Sequence, residues 1–214
     1  MQLPEDSPNG TIAAVVGASD ADTVGDAHQY TLLDDFAGLF SLDATTGELT
    51  VQNSSLLDFE GTTSFEVPIR VSVGVNQSTD TVLIEVTNAN EGPFDLTLDN
   101  TTVPENTPGA VVGTVAVRDL DAGDSHTFTV NDNRFEVDGT TLKLKDSVSL
   151  DAEAVLPTNV RITATDADGL RTSQTYLLTV QNENDAPQAI SLSNNTVLEN
   201  VAGAVVGELS LIHI

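Results

Sequence analysis

The chain has 214 residues, with 33 acidic against 7 basic side chains and a formal net charge of −26. That balance excludes nucleic acid as a default partner, because phosphate binding needs dense Lys and Arg, and it argues against docking on anionic lipid. There is no cysteine, so disulfides and thiolate metal sites are unavailable, and no apolar run reaches the ~20 residues of a membrane span.

In chain order, the opening stretch is Leu3-Pro-Glu-Asp-Ser-Pro-Asn-Gly-Thr-Ile-Ala-Ala-Val-Val-Gly17. It returns, four residues shorter, as Val103-Pro-Glu-Asn-Thr-Pro-Gly-Ala-Val-Val-Gly113 and again as Val197-Leu-Glu-Asn-Val-Ala-Gly-Ala-Val-Val-Gly207. The glutamates Glu5, Glu105 and Glu199 mark steps of 100 and 94 residues. Internal repetition at that spacing decides for tandem domains over one large one. The divisions read from it are residues 1–92, residues 93–187, and a truncated third start over 188–214. No basic segment followed by an apolar core precedes Glu5, so no signal peptide is visible, and Met1 is read as internal to a longer frame. The last six residues, Leu209-Ser-Leu-Ile-His-Ile214, match one frame of a transposon-end sequencing adapter. They are read as read-through, with a natural strand end as the alternative.

Strands are expected throughout. Phe65, Val67, Ile69, Val71 and Val73 alternate with polar neighbours, as do Val82, Ile84 and Val86, and Tyr176, Leu178 and Val180. Val160, Ile162 and Ala164 are read as the counterparts of Ile69, Val71 and Val73. Asp138-Gly139, between Phe135-Glu-Val137 and Leu142-Lys-Leu144, signals a two-residue hairpin with positive φ. No stretch sustains a 3.6-residue apolar period. About seven short strands per ~95 residues imply an all-β chain of Greek-key β-sandwiches.

Two polar hexapeptides close the repeats: Asn88-Ala-Asn-Glu-Gly-Pro93 and Asn182-Glu-Asn-Asp-Ala-Pro187, 94 residues apart. They resemble the Asp-x-Asn-Asp-x-Pro linkers of cadherin repeats, in the shorter form of bacterial cadherin-like repeats. The middle of the first repeat, Phe40-x-Leu-Asp-x-x-Thr-Gly-x-Leu-x-Val51 followed by Leu57-Asp-Phe-Glu60, resembles the same family. The resemblance implies tandem sandwiches end to end, with calcium held at each junction.

Calcium takes six to eight oxygen ligands, mostly carboxylates and carbonyls. The ligands implied at the first junction are Glu5, Asp58, Glu60, Asn88, Asn90 and Glu91, met by Asp119, Asp121, Asp124, Asp166 and Asp168 of the second repeat. At the second junction they are Glu105, Asp151, Glu153, Asn182, Asn184 and Asp185, and Asp20 and Asp22 match Asp119 and Asp121 in the first repeat. Ser72-Val-Gly74 stands where the second repeat has Asp166-Ala-Asp168, so a ligand is missing there. The plainer alternatives are turn residues taken singly and acidity that serves solubility or adaptation to salt.

His28 and His126 lie in repeated Gly-Asp-x-His contexts and are read as strand-packing or turn residues; His213 is the third. No nucleophile elbow, zinc helix or phosphate loop is present, so the chain is read as no enzyme. The expected role is an extracellular or cell-surface calcium-binding rod of a secreted, adhesin-like protein, its partners being the neighbouring repeats and other surface proteins or polysaccharide. The alternatives are direct homophilic or polysaccharide binding by the repeats, and accessory domains of a secreted polysaccharide-degrading enzyme.

Overall fold

A computed structural model describes residues 1–19, 27–154, 157–187 and 189–212. They form two compact units, Met1–Glu91 and Gly92–Ile214. Among the described residues no helix is long and apolar enough to cross a membrane.

The first unit contains β1 (Gln2–Pro4), β2 (Ile12–Val15), β3 (Gln29–Leu32), β4 (Phe40–Leu42), β5 (Glu48–Val51), β6 (Ser64–Val73) and β7 (Asn76–Thr87). One sheet runs β1-β7-β6-β3 and the other β2-β5-β4. The alternation in β6 and β7 buries Val67, Ile69, Ile84 and Val86, which meet Leu49, Val51 and Phe40 of the facing sheet in one core. The polar partners face outward, as a half-buried strand requires.

The second unit contains β8 (Phe94–Leu98), β9 (Thr102–Pro104), β10 (Val111–Arg118), β11 (Thr127–Val130), β12 (Phe135–Asp138), β13 (Thr141–Leu144), β14 (Thr158–Thr165) and β15 (Arg171–Gln181). Its sheets run β12-β13-β10-β8 and β11-β14-β15-β9. Val112, Val115, Leu142, Leu144, Val160 and Ile162 fill the space between them. The Tyr176 hydroxyl on β15 donates to Leu96 O on β8 at 2.6 Å, which ties the two sheets together. In both units a three-residue strand near the start pairs in parallel with the closing one: β1 with β7, where Leu3 faces Val86, and β9, the second strand of its unit, with β15, where Val103 faces Val180.

The hairpin expected at Asp138-Gly139 is present, moved on by one residue. Asp138 pairs with Thr141, so the loop is Gly139-Thr140 and only Gly139 takes positive φ, at 59°. Two repeat alignments also change. Ile12 and Ala14 hold the bulged positions of Val111 and Gly113 against the neighbouring strand, so Ala14, not Gly17, matches Gly113. One extra residue, not four, separates the copies. Likewise Tyr30 faces Val71 as Phe128 faces Ala164, so Val160, Ile162 and Ala164 match Val67, Ile69 and Val71.

Gly113 is glycine because the turn at Asn100 lies on it: an added Cβ would overlap Asp99 Oδ1 and sit 3.0 Å from Asn100 N. Beyond the second sandwich, β16 (Ala189–Leu192) pairs with β17 (Leu209–Ile212). Leu209 faces Leu192 and Ser210 faces Ser191, as Val115 faces Leu98 and Ala116 faces Thr97. Asn194 repeats the two side-chain bonds that Asn100 makes to the residue two positions on, and its backbone crowds Gly207 in the same way.

Each sandwich also buries one glutamate. Glu5 directly follows β1 and is 7% exposed; Glu105 directly follows β9 and is 1% exposed. Glu105 accepts Ala152 N at 2.7 Å and Glu183 N at 2.5 Å, one on each oxygen. Glu105→Ala would strip the acceptor from two part-buried amides, those of Ala152 and Glu183, at about 1–2 kcal/mol each. We expect it to lower the stability of the second unit by roughly 2–4 kcal/mol in urea unfolding with chelator present, before any metal is involved.

Asp132 and Arg134 form a forked pair on the turn before β12, with Nη2 to Oδ2 at 2.7 Å, and Nη2 also donates to Thr158. The guanidinium holds the Asp132 carboxyl below its ordinary range, first through this hydrogen bond. A depressed folded pKa gives stability that is present above the unfolded value, about 3.9, and is lost as pH falls through the folded one. Asp132→Asn should therefore cost about 1 kcal/mol at pH 7, and this difference should fade as unfolding is measured progressively below pH 4.

Candidate metal centres

The buried glutamates organise the acidic loops around them. In the first unit Glu5 Oε2 accepts Phe59 N at 2.7 Å and Oε1 accepts Ala89 N at 2.8 Å. The first bond pins the loop that carries Asp58 and Glu60; the second pins the segment that carries Asn88 and Asn90. Asp58 and Glu60 are exposed, and one carboxylate oxygen of each comes within 4.8 Å of the others and of Glu5. Asp58 is further shaped by accepting Gly61 N at 3.0 Å. Asn90 Nδ2 donates to Glu91 O at 3.1 Å, which turns the linker at its last acid.

The second unit repeats the plan. Glu105, Asp151 and Glu153 gather their oxygens within 4.8 Å. Asp151 Oδ1 accepts Glu153 N and Ala154 N, which folds the acidic loop back on itself. Asn182 Nδ2 donates to Glu153 Oε1, and Asn106 Nδ2 donates to Asp185 Oδ1 at 3.0 Å. Asn106 reaches the linker from a left-handed backbone, φ 55°. The Glu153 carboxyl is pushed up from its ordinary pKa, first by desolvation and then by the neighbouring Asp151 and Glu105. Like charges held this close repel unless a cation or a proton intervenes. Asn184 is exposed on the linker, its amide donating to Asp185 O.

A third acidic group lies where β10 ends. The Asp119 side chain is 5% exposed; its Oδ1 accepts Asp121 N at 3.1 Å and its Oδ2 lies 2.8 Å from His126 Nε2. Asp124 accepts Ser125 N through Oδ1, while its buried Oδ2 has no hydrogen-bond partner among the described residues. Ligand atoms of Asp119, Asp124 and His126 lie within 4.8 Å of one another.

Asp166 is buried and caps the turn between β14 and β15, its Oδ1 accepting Gly169 N and Leu170 N at 2.6 and 2.8 Å. Asp168 stands exposed on that turn. The first unit has only the tight Gly74-Val75 turn between Val73 and Asn76, with no acid on it. Asp20, Asp22 and His213 lie outside the described residues. His28, which directly precedes β3, packs its ring beside Tyr30. His126 is the residue that sequence reasoning passed over: its ring meets an acid of the Asp-x-Asp motif, and its place in Gly-Asp-x-His just downstream was the only available signal.

A Cadherin domain family model matches residues 1–87. Among solved structures, the protocadherin gammaB7 EC3-6 cis-dimer matches with TM-score 0.67 and 28% identity, over 99% of this chain and 52% of that one. PcdhgB3 EC1-4 matches with TM-score 0.69 and 26% identity, over 86% and 47%. Human protocadherin-24 EC1-2 matches with TM-score 0.63 and 25% identity, over 85% and 94%. The chain thus spans about half the length of the first two. Seven paired strands about a buried glutamate, repeated with one strand more, are the architecture of tandem cadherin-like β-sandwich repeats, and that is the fold of this chain.

Proposed function

We propose that this chain is a calcium-binding structural segment of an extracellular, cell-surface protein, of the bacterial cadherin-like kind. The observation that carries the reading is the same acidic trio in both units, one buried glutamate gathering two carboxylates that are less buried than itself, at a spacing of one repeat. These donors are all carboxylate oxygens, with linker amides beside them, and that set suits a hard cation such as calcium. Glu5, Asp58, Glu60, Asn88, Asn90 and Glu91 would serve one junction together with Asp119, Asp121, Asp124 and Asp166. Glu105, Asp151, Glu153, Asn182, Asn184 and Asp185 would serve the next.

The bound ion supplies positive charge among mutually repelling carboxylates, and stiffening of successive repeats into a rod follows from that. Residues 188–214 are the start of a third repeat in this reading, with 209–214 either read-through or its natural strand end; the Asn194 turn against Gly207, which matches Asn100 against Gly113, supports it. Asp168, exposed on its turn, has less support as a ligand than Asp166. Self-association is the second reading: the gammaB7 relative is described as a cis-dimer. Solution mass with and without calcium tests it, and a strict monomer at high concentration removes it.

Thermal unfolding of the 214-residue chain in chelator, in millimolar calcium and in equal magnesium tests the main reading. Extracellular calcium modules bind at about 10⁻⁴–10⁻³ M. Millimolar calcium is about one to ten times such a Kd and adds about 0.4–1.4 kcal/mol per site, which corresponds to a rise of roughly 2–10 °C for a domain of this size. Magnesium should give little of this, since it demands small octahedral sites. Asp119→Ala combined with Asp121→Ala should remove part of the calcium rise. No calcium effect in the unaltered chain would dispose of the reading.

A further inference from the structure

We propose that His126 is a positioning residue for calcium: it holds the Asp119 carboxylate in the orientation that receives the ion, without binding the ion itself. This rests on the calcium reading above. An ionised carboxylate only accepts hydrogen bonds, so the 2.8 Å contact assigns the proton to His126 Nε2, which donates to Asp119 Oδ2. The other oxygen is already fixed by Asp121 N at 3.1 Å. One donor therefore sits on each oxygen of Asp119, and the rotation of the carboxylate is locked from both sides.

Both partners are sequestered, the Asp119 side chain 5% and the His126 side chain 13% exposed, so water does not readily replace the imidazole. Beside them lies the buried Oδ2 of Asp124, which has no hydrogen-bond partner among the described residues. One carboxylate oxygen of Asp124 and one of Asp119 lie within 4.8 Å of each other. Nε2 cannot donate to Asp119 and ligate a metal at once, and calcium takes oxygen in preference to imidazole nitrogen. Hydrogen-bonding partners that orient metal-ligating carboxylates commonly carry 10–100-fold in affinity.

The test is calorimetric calcium titration of the 214-residue chain, compared with His126→Phe and His126→Gln. Phenylalanine keeps a ring to pack and removes the donor; glutamine keeps an N–H at similar reach and removes the ring. His126→Phe should weaken, by about tenfold or more, those calcium sites that Asp119→Ala also weakens. His126→Gln should stay within a few-fold of the unaltered chain, and the melting temperatures of the two variants in chelator should not track this order. Equal calcium affinity in the Phe variant would reduce His126 to packing and overturn the proposal. Zinc binding tighter than calcium, lost in the Phe variant, would make the imidazole a ligand and overturn it too. If the unaltered chain takes up no calcium, the calcium reading fails first, and the two failures are told apart.

Discussion

Each sandwich depends on a carboxylate placed where carboxylates rarely go. Taking an ion out of water costs several kcal/mol unless strong hydrogen bonds meet it. Glu5 and Glu105 meet that condition with backbone amides alone, one on each oxygen. The donors come from two places distant in sequence, the acidic loop and the segment leaving the last strand. A single side chain therefore fixes both ends of the same cluster. Without it, Asp58 and Glu60, or Asp151 and Glu153, would be ordinary solvated acids on loose loops. With it, they are gathered close enough to repel, and the fold carries a standing electrostatic cost that a cation relieves.

The two units spend this plan differently. The second has Asp166 closing the β14–β15 turn and an Asp119 whose side chain is largely covered and held by His126. The first turns the matching strands with Gly74-Val75, and Val75 is almost wholly exposed. A two-residue turn has no room for a side chain that accepts from amides three and four residues on, as Asp166 does. The loss of the acid and the tightening of the turn are thus one change. An acidic total of 33 residues hides this unevenness, because what matters is which carboxylates the backbone holds in place.

The strands and their faces were legible from alternation, because a period of two is dictated by the pleat itself. Register was less so. Shifting Val160, Ile162 and Ala164 by two residues keeps every side chain on its face, so the pattern alone could not choose their partners. Val-Val-Gly invited alignment of Gly17 with Gly113 because the tripeptide matches by letters. The glycine at 113 answers to the Asn100 turn pressed on it, a contact between residues 13 apart that no local pattern records. Among the acids, Glu5 and Glu105 were legible as members of a motif, yet not as its buried hub. His126 was read as packing because its context resembled that of His28, and only the end of β10 brings it to Asp119.

The parallel pairing of β1 with β7 and of β9 with β15 has a mechanical consequence. Where tension enters at the start of β9 and leaves past the end of β15, the two strands are drawn in opposite directions along their length. The bonds at Thr102–Thr179, Val103–Val180 and Pro104–Gln181 lie across that pull, so they are loaded in shear and share it. An antiparallel pair held at one end would instead peel bond by bond. β1 and β7 repeat the arrangement. The buried glutamate stands directly beyond each of these short ladders and bonds the segment leaving the last strand, so it extends the sheared region by one more link.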